Sequence, residues 1–300
     1  MGTPEFAVAS LDALVQAGCH IVGVITAPDK EAGRGMQVQE SAVKKYAVEK
    51  GFTILQPLKF RSPDFIEALK SLKADLQICV AFRMLPEMVW NMPPMGTINV
   101  HGSLLPKYRG AAPINWAVIN GDTETGVTTF KLQHAIDTGN ILLQKSFPIS
   151  PEDNAGIVHD TMKEIGAELL LETIQQLSEN KIVEKPQVEI PVDEKYVHAP
   201  KIFTETCLIN FNKSAIEVNN LIRGLSPYPT AFTFLNDKKL KIFKAIPKQE
   251  THQKTIGSFN TDGKTFLDFA CTDGWISVLE LQLEGKKRMS VIDFLRGYRF

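Results

Sequence analysis

Asn99 and His101 follow a short apolar strand pattern that begins Met95-Gly96-Thr97-Ile98. At i and i+2 of a strand, their side chains share one face. That face carries an amide able to donate a hydrogen bond beside an imidazole, the side chain whose ordinary titration lies nearest neutral pH. Behind them runs Gly102-Ser103-Leu104-Leu105-Pro106-Lys107-Tyr108-Arg109-Gly110, in which two glycines and a proline shape a fixed loop rather than a helix. An Asp137-Thr138-Gly139 turn follows 36 residues after the histidine. Acyl transfer needs a donor for a developing oxyanion and a group that moves a proton, and Asn99 and His101 are of those two types. A carboxylate at Asp137 would orient the imidazole, hold a water or raise the ring's basicity. Taken singly, the histidine reads better as a satisfied core residue and the aspartate as an ordinary turn. Amide, imidazole and shaped loop together favour a site. Lys107 and Arg109 are either surface charges or holders of an anionic substrate group. No Walker-type phosphate loop, Gly-x-Gly-x-x-Gly turn or Gly-x-Ser-x-Gly elbow accompanies them.

Such residues need a scaffold, and the first 150 positions alternate between two periods. His20–Ala27, Phe52–Gln56, Leu76–Ala81 and Thr97–Val100 are β-rich apolar runs. Glu5–Gln16, Ser41–Glu49 and Ser62–Leu72 carry helical periodicity, the last opening on an N-cap serine and a proline at the first helical position. This alternation predicts βαβ units and a parallel sheet covered on both faces. Thr125–Leu132 and Ile141–Ile149 read as strands of a hairpin around the Asp137 loop. Asp153–Ser178 reads as a long helix capped by Asp153 or Asn154. The pattern weakens into Pro-containing extended chain over Val183–Pro200, a linker reading. Beyond it, a short helix at Lys213–Arg223 precedes strands at Ala231–Leu235, Leu240–Ala245, Thr265–Ala270 and Trp275–Leu283, which suggest a small barrel or sandwich. The chain opens Met-Gly-Thr-Pro-Glu-Phe, like the turn after a first strand but without that strand. In a doubly wound sheet this would leave central edges unpaired, so a truncated start is expected.

Composition narrows the class. With 300 residues, 44% hydrophobic and 22% charged, the chain can bury a large core, and two domains are the soft prior. Cys19, Cys79, Cys207 and Cys271 are scattered without a Cys-x-x-Cys pair, which argues against a disulfide framework or a zinc site. No apolar run approaches the roughly 20 residues of a membrane span, and no signal peptide is readable. The cytoplasm is the expected address. From Phe203 onward, 14 Lys and Arg face 10 Asp and Glu, which leaves 19 against 24 in the preceding residues. A basic final third hints at a polyanionic partner; an uneven solvated surface explains it equally well.

Asn99, His101, the Ser103–Gly110 loop and Asp137-Thr138-Gly139, with their spacing, resemble the signature of the folate-dependent formyltransferases. The likeness extends over essentially the whole chain. It includes Gly2-Thr3-Pro4-Glu5-Phe6, Ala32-Gly33-Arg34-Gly35, Gly121-Asp122, Thr125–Thr128, Ala199-Pro200-Lys201-Ile202 and Leu221–Pro227, and it points to the tRNA-acting branch of that family. The resemblance implies an α/β, Rossmann-like catalytic domain over 1–182, its first strand missing here. A linker would cover 183–202, and a C-terminal β-barrel of the oligonucleotide/oligosaccharide-binding type 203–300. It implies 10-formyltetrahydrofolate as co-substrate, the amino group of methionyl initiator tRNA as acceptor, no metal, no membrane and a monomer. Asn99, His101 and Asp137 would be catalytic. Folate would lie against Ser103, Leu104, Leu105 and Pro106 and against Phe82, Arg83, Met84 and Leu85. Arg34, Lys238, Lys239, Lys286, Lys287 and Arg288 would face the tRNA, although for each lysine a solubilising surface role remains the stronger single reading. The nearest rivals are a formyltransferase acting on an amino sugar nucleotide and a binding protein without catalysis.

Overall fold

The computed structural model describes residues 1–32, 37–189, 191–193 and 196–299. Two compact units emerge, one of Met1–Gly110, Gly126–Phe147 and His159–His198, the other of Ala111–Thr125, Pro148–Val158 and Ala199–Phe300.

In the first unit, strands and helices alternate as the periodicities predict. Val24–Ile25 pairs in parallel with Ile54–Leu55. Gln77–Val80, Thr97–His101, Glu124–Lys131 and Ile141–Pro148 form a four-stranded sheet in that order, parallel at its first pair and antiparallel at its second. Helices Glu5–Gln16, Ala42–Glu49 and Pro63–Ser71 run between the early strands. Ser41 caps the second by accepting from the Lys44 N–H at 3.0 Å, and Pro63 starts the third. The long helix is Ala155–Ser178, and Thr173 Oγ1 meets Thr129 Oγ1 at 2.8 Å to seat it on the sheet.

Where a first strand was expected to be absent, Met1 and Gly2 lie between the two sheets. The Gly2 N–H donates to Ile25 O at 3.1 Å, and the Val80 N–H donates to Met1 O at 2.9 Å. The Met1 nitrogen donates to Ile78 O. Beside them is a cavity of about 140 Å³, lined by Leu14, Ile21, Val24, Leu72 and Ile78 among others.

The second unit pairs its strands antiparallel in the order Ala231–Leu235, Lys238–Lys248, Trp275–Leu283, Leu267–Ala270, Phe259–Thr261, with Met289–Ser290 also on Trp275–Leu283. A register shift around Lys244 bends the long strand. The sheet curls over a core that includes Leu240, Ile242, Leu281 and the stacked rings of Phe211 and Phe269. Helix Ala215–Gly224 starts on a full capping box between Ser214 and Glu217. Against it packs helix Pro113–Ile119, with Asn115 Nδ2 donating to Gly224 O at 2.7 Å.

Candidate active site

Strand Thr97–His101 is flanked on both sides, so the face shared by Asn99 and His101 has little freedom. Asn99 is opposite Cys79 on one neighbour and Phe130 on the other; His101 is opposite Thr128. The imidazole is buried, with its ring edge-on to Phe130 at 6.3 Å. His101 Nε2 is 2.9 Å from the backbone carbonyl of Tyr108. A carbonyl only accepts, so Nε2 carries the proton and Nδ1 is the basic nitrogen. That nitrogen is 3.8 Å from Asp137 Oδ2, just beyond a direct hydrogen bond and close enough for charge attraction once the ring takes up a second proton. The Asn99 amide forms no hydrogen bond among the described residues and is half-buried, open to an incoming group.

Two residues in left-handed conformation set this geometry. Tyr108 has φ +60°, which for a side chain of its size costs about 1–2 kcal/mol, and it turns its carbonyl onto the imidazole. Its own N–H donates to Tyr196 O, and that of Arg109 to Val197 O, both at 2.7 Å. Asp137 has φ +53°, a conformation that aspartate tolerates well, and Oδ2 accepts from the Gly110 N–H at 2.9 Å. The loop carrying Asp137 leaves the sheet next to Ile98, opposite Lys131, and doubles back toward His101. Gly139 makes that return possible, because a Cβ there would be 1.6 Å from Lys131 O. Gly139→Ala is therefore expected to lower stability by about 1–3 kcal/mol through overpacking, and to lower turnover with it. An unchanged melting temperature would contradict this close approach.

The Ser103–Pro106 segment follows directly on His101. Ser103, Leu105 and Pro106 are buried and Leu104 is half-buried. Thr128 organises the segment: its Oγ1 donates to Ser103 O at 2.6 Å and accepts from the Leu105 N–H at 3.1 Å and from Gln144 Nε2 at 2.9 Å. Phe82–Leu85 follows the neighbouring parallel strand, so both segments lie at the carboxyl ends of parallel strands, where crevices form. Within it Met84 is 72% exposed, Leu85 is buried, and Phe82 packs on Phe60. The Arg83 guanidinium donates to the carbonyls of Pro57 and Leu58 and lies 4.0 Å from the centre of the Phe60 ring. Those contacts hold Nη1 and Nη2 while the residue stays exposed.

Lys238 and Lys239, the first residues of strand Lys238–Lys248, lie beside the turn that leads to Lys286 and Lys287, because the Glu284 N–H donates to Lys239 O at 2.8 Å. Arg288 is already paired, with Nε and Nη2 on the two oxygens of Glu280 at 2.7 and 2.5 Å. This pairing raises its pKa further. Arg34 lies outside the described residues.

Sequence reasoning missed the Tyr108 carbonyl, Thr128 and Gln187. The last accepts from Arg109 Nε at 3.0 Å and from Nη2 at 2.6 Å, so Arg109 is tied into the protein along that edge rather than being a free surface charge. Glu124–Lys131 is buried continuously from Thr125 to Phe130, so no alternation singles out Thr128, and no local signal marks Gln187. Among the described residues no group of three His, Cys, Asp or Glu is placed to hold a metal ion, and no helix is long and apolar enough to cross a membrane.

Residues 1–174 match the Formyl transferase family and residues 201–299 match Formyl transferase, C-terminal domain. The chain is similar to methionyl-tRNA formyltransferase of Bacteroides fragilis, at 52% identity over 99% of this chain and 94% of that one. It is likewise similar to that of Phocaeicola vulgatus, at 55% identity over 100% and 94%. Among solved structures, a sugar 3N-formyl transferase determined with dTDP and 5-N-formyl-THF shares the fold, with a TM-score of 0.68, 22% identity and coverage of 95% and 97% of the two chains. Glycinamide ribonucleotide transformylase 1 from Symbiobacterium toebii, at 18% identity and a TM-score of 0.52, covers 62% of this chain and 89% of its own. On these matches and the Asn99, His101 and Asp137 arrangement they enclose, the chain belongs to the formyltransferase family.

Proposed function

We propose that this chain transfers the formyl group of 10-formyltetrahydrofolate to the amino group of methionyl initiator tRNA. The observation that carries the chemistry is the His101 ring, held by Tyr108 so that Nδ1 faces Asp137, beside the uncommitted Asn99 amide. The acceptor is argued from relatives about half identical over 94% of their length. The folate supplies an activated formyl group. Its neighbours here would be the exposed Met84 and half-buried Phe82 on one segment, with Leu85 beneath, and Ser103, Leu104, Leu105 and Pro106 on the other. Asn99 donates to the formyl oxygen as it gains charge under attack by the amine. His101 Nδ1 takes the proton that the amine must lose and returns it to the departing nitrogen. Asp137, 3.8 Å from Nδ1, stabilises the imidazolium that exists between those two steps and would position a relay water beside it. No covalent intermediate on the protein is required.

For the remaining organisation we propose a catalytic domain over 1–182, a connecting segment over 183–202 and an oligonucleotide-binding-type barrel over 203–300. The curled antiparallel sheet and the clustered Lys238, Lys239, Lys286 and Lys287 support that barrel as the phosphate-contacting part. Arg34 would reach the acceptor end of the tRNA. Arg288, engaged by Glu280, contributes less than those lysines. The protein would act as a cytoplasmic monomer.

One assay tests the acceptor. Methionyl-tRNA and 4-amino-sugar nucleotides are offered in parallel with the same formyl donor. Formylation of the tRNA is expected, with a KM for tRNA that rises steeply between about 50 and 200 mM salt as phosphate contacts release counterions. Turnover of the sugar nucleotide alone would overturn the assignment, and a flat salt response would remove the lysine cluster from it.

A further inference from the structure

We propose that Gln187, in the segment that reads as a linker, is a positioning residue for Asp137 and so for proton transfer at His101. The inference rests on the catalytic reading of His101 and Asp137.

The side chain is 3% exposed, and every hydrogen-bonding site on it is occupied. Its Nε2 donates to Asp137 O at 2.9 Å and to Gly139 O at 2.8 Å, which spans the turn that carries the catalytic carboxylate. Its Oε1 accepts from Arg109 Nε and Nη2, at 3.0 and 2.6 Å. Gln187 therefore ties together the two loops that meet at the site, because the next residue, Gly110, donates its N–H to Asp137 Oδ2.

The backbone explains how a glutamine from so far along the chain arrives there. Lys185 and Ile141 exchange both of their N–H···O bonds at 2.9 Å, an antiparallel bridge. Two residues further on in that register, position 187 falls opposite position 139. Glu184 pins the same segment, bonding Asn140 Nδ2 at 3.0 Å and Lys131 Nζ at 2.5 Å, and the lysine holds its pKa below the ordinary carboxylate value. Downstream, Tyr196 and Val197 accept the N–H groups of Tyr108 and Arg109. The described residues at both ends of the segment thus bind the catalytic loops.

Arg109 shows why the tie matters to the chemistry. Burial lowers its pKa while the negative charge of Asp137 raises it, so the two charges lie within electrostatic reach. Gln187 holds the guanidinium by a neutral acceptor. Without that hold the guanidinium is free to close on the Asp137 carboxylate and take it away from His101 Nδ1.

A double-mutant cycle tests the proposal. Gln187→Met keeps the volume and removes both halves of the tie, and Asp137→Asn removes the charge it positions. Gln187→Met is expected to lower kcat by roughly 10- to 100-fold, the scale of a misplaced catalytic group, while KM for the formyl donor stays within about twofold. Added to Asp137→Asn it should cost little more, because both changes act through one carboxylate. Enzyme concentration is taken from titrated folate-binding sites, so misfolded protein is not counted. If Gln187→Met binds no folate, the cycle is run with Gln187→Glu, which keeps an acceptor for Arg109 and loses the donor to the turn. A kcat equal to the parent, or losses that multiply in the double variant, would overturn the positioning role. Full activity in Asp137→Asn alone would instead overturn the catalytic reading beneath it.

Discussion

Replacing His101 by alanine is expected to lower kcat by about 10²- to 10⁴-fold, the usual contribution of a positioned acid–base group. Binding of the formyl donor should be largely kept. The expectation follows from how the ring is held. Tyr108 O fixes the proton on Nε2, Phe130 packs against the ring, and Asp137 waits on the far side at 3.8 Å. Only Nδ1 is left to accept a proton, so the truncated side chain leaves the attacking amine without an acceptor and the departing nitrogen without a donor. The apolar and backbone groups of Ser103–Pro106 do not depend on the imidazole, because Thr128 and Gln144 hold them. Single-turnover formylation and equilibrium folate binding, measured on the same preparation, separate the two effects. An unchanged formylation rate would sink the catalytic assignment; a matched loss of binding and rate would make His101 a structural residue.

Much of the site was legible because its parts are local. Asn99 and His101 are two residues apart on one strand, and period-2 geometry alone puts them on one face. The loop that follows is contiguous with them. Asp137 was legible as a turn residue, but not the path by which it reaches His101. Its loop leaves the sheet beside Ile98 and doubles back, which depends on Gly139 lying directly on Lys131 O. Gln187 had no local signature at all. A lone glutamine in Pro-containing chain reads as linker, and only the Lys185–Ile141 bridge makes it part of the site.

The same contrast holds for the fold. Alternating apolar runs and helical periods gave the parallel strands of the first unit and most strands of the second. What periodicity leaves open is the partner of an apolar face. Helix Pro113–Ile119 buries Ala117 and Val118, and its partner is helix Ala215–Gly224, about a hundred residues further along. No window of sequence around position 115 holds that information. Arg83 adds a contact of the same long-range kind: its guanidinium reaches back to the carbonyls of Pro57 and Leu58 and the ring of Phe60.

Asn99→Ala is expected to cost about 10²- to 10³-fold in kcat, or roughly 3–4 kcal/mol of barrier, the range for removing one oxyanion donor. Folding stability should hardly change. Both halves of this expectation come from one observation, that the Asn99 amide has no hydrogen-bond partner among the described residues. A side chain kept for structure would be paired, since a half-buried amide without a partner contributes little to the fold. Strand pairing with Cys79 and Phe130 fixes where the amide points, so it is preorganised rather than recruited. Asn99→Asp sharpens the test, because it keeps the shape but places negative charge where negative charge develops. It should be slower than Asn99→Ala despite being nearly isosteric. If the aspartate variant were as fast as the parent, the oxyanion would be stabilised elsewhere. If alanine lowered the melting temperature and spared kcat, Asn99 would serve the strand and not the reaction.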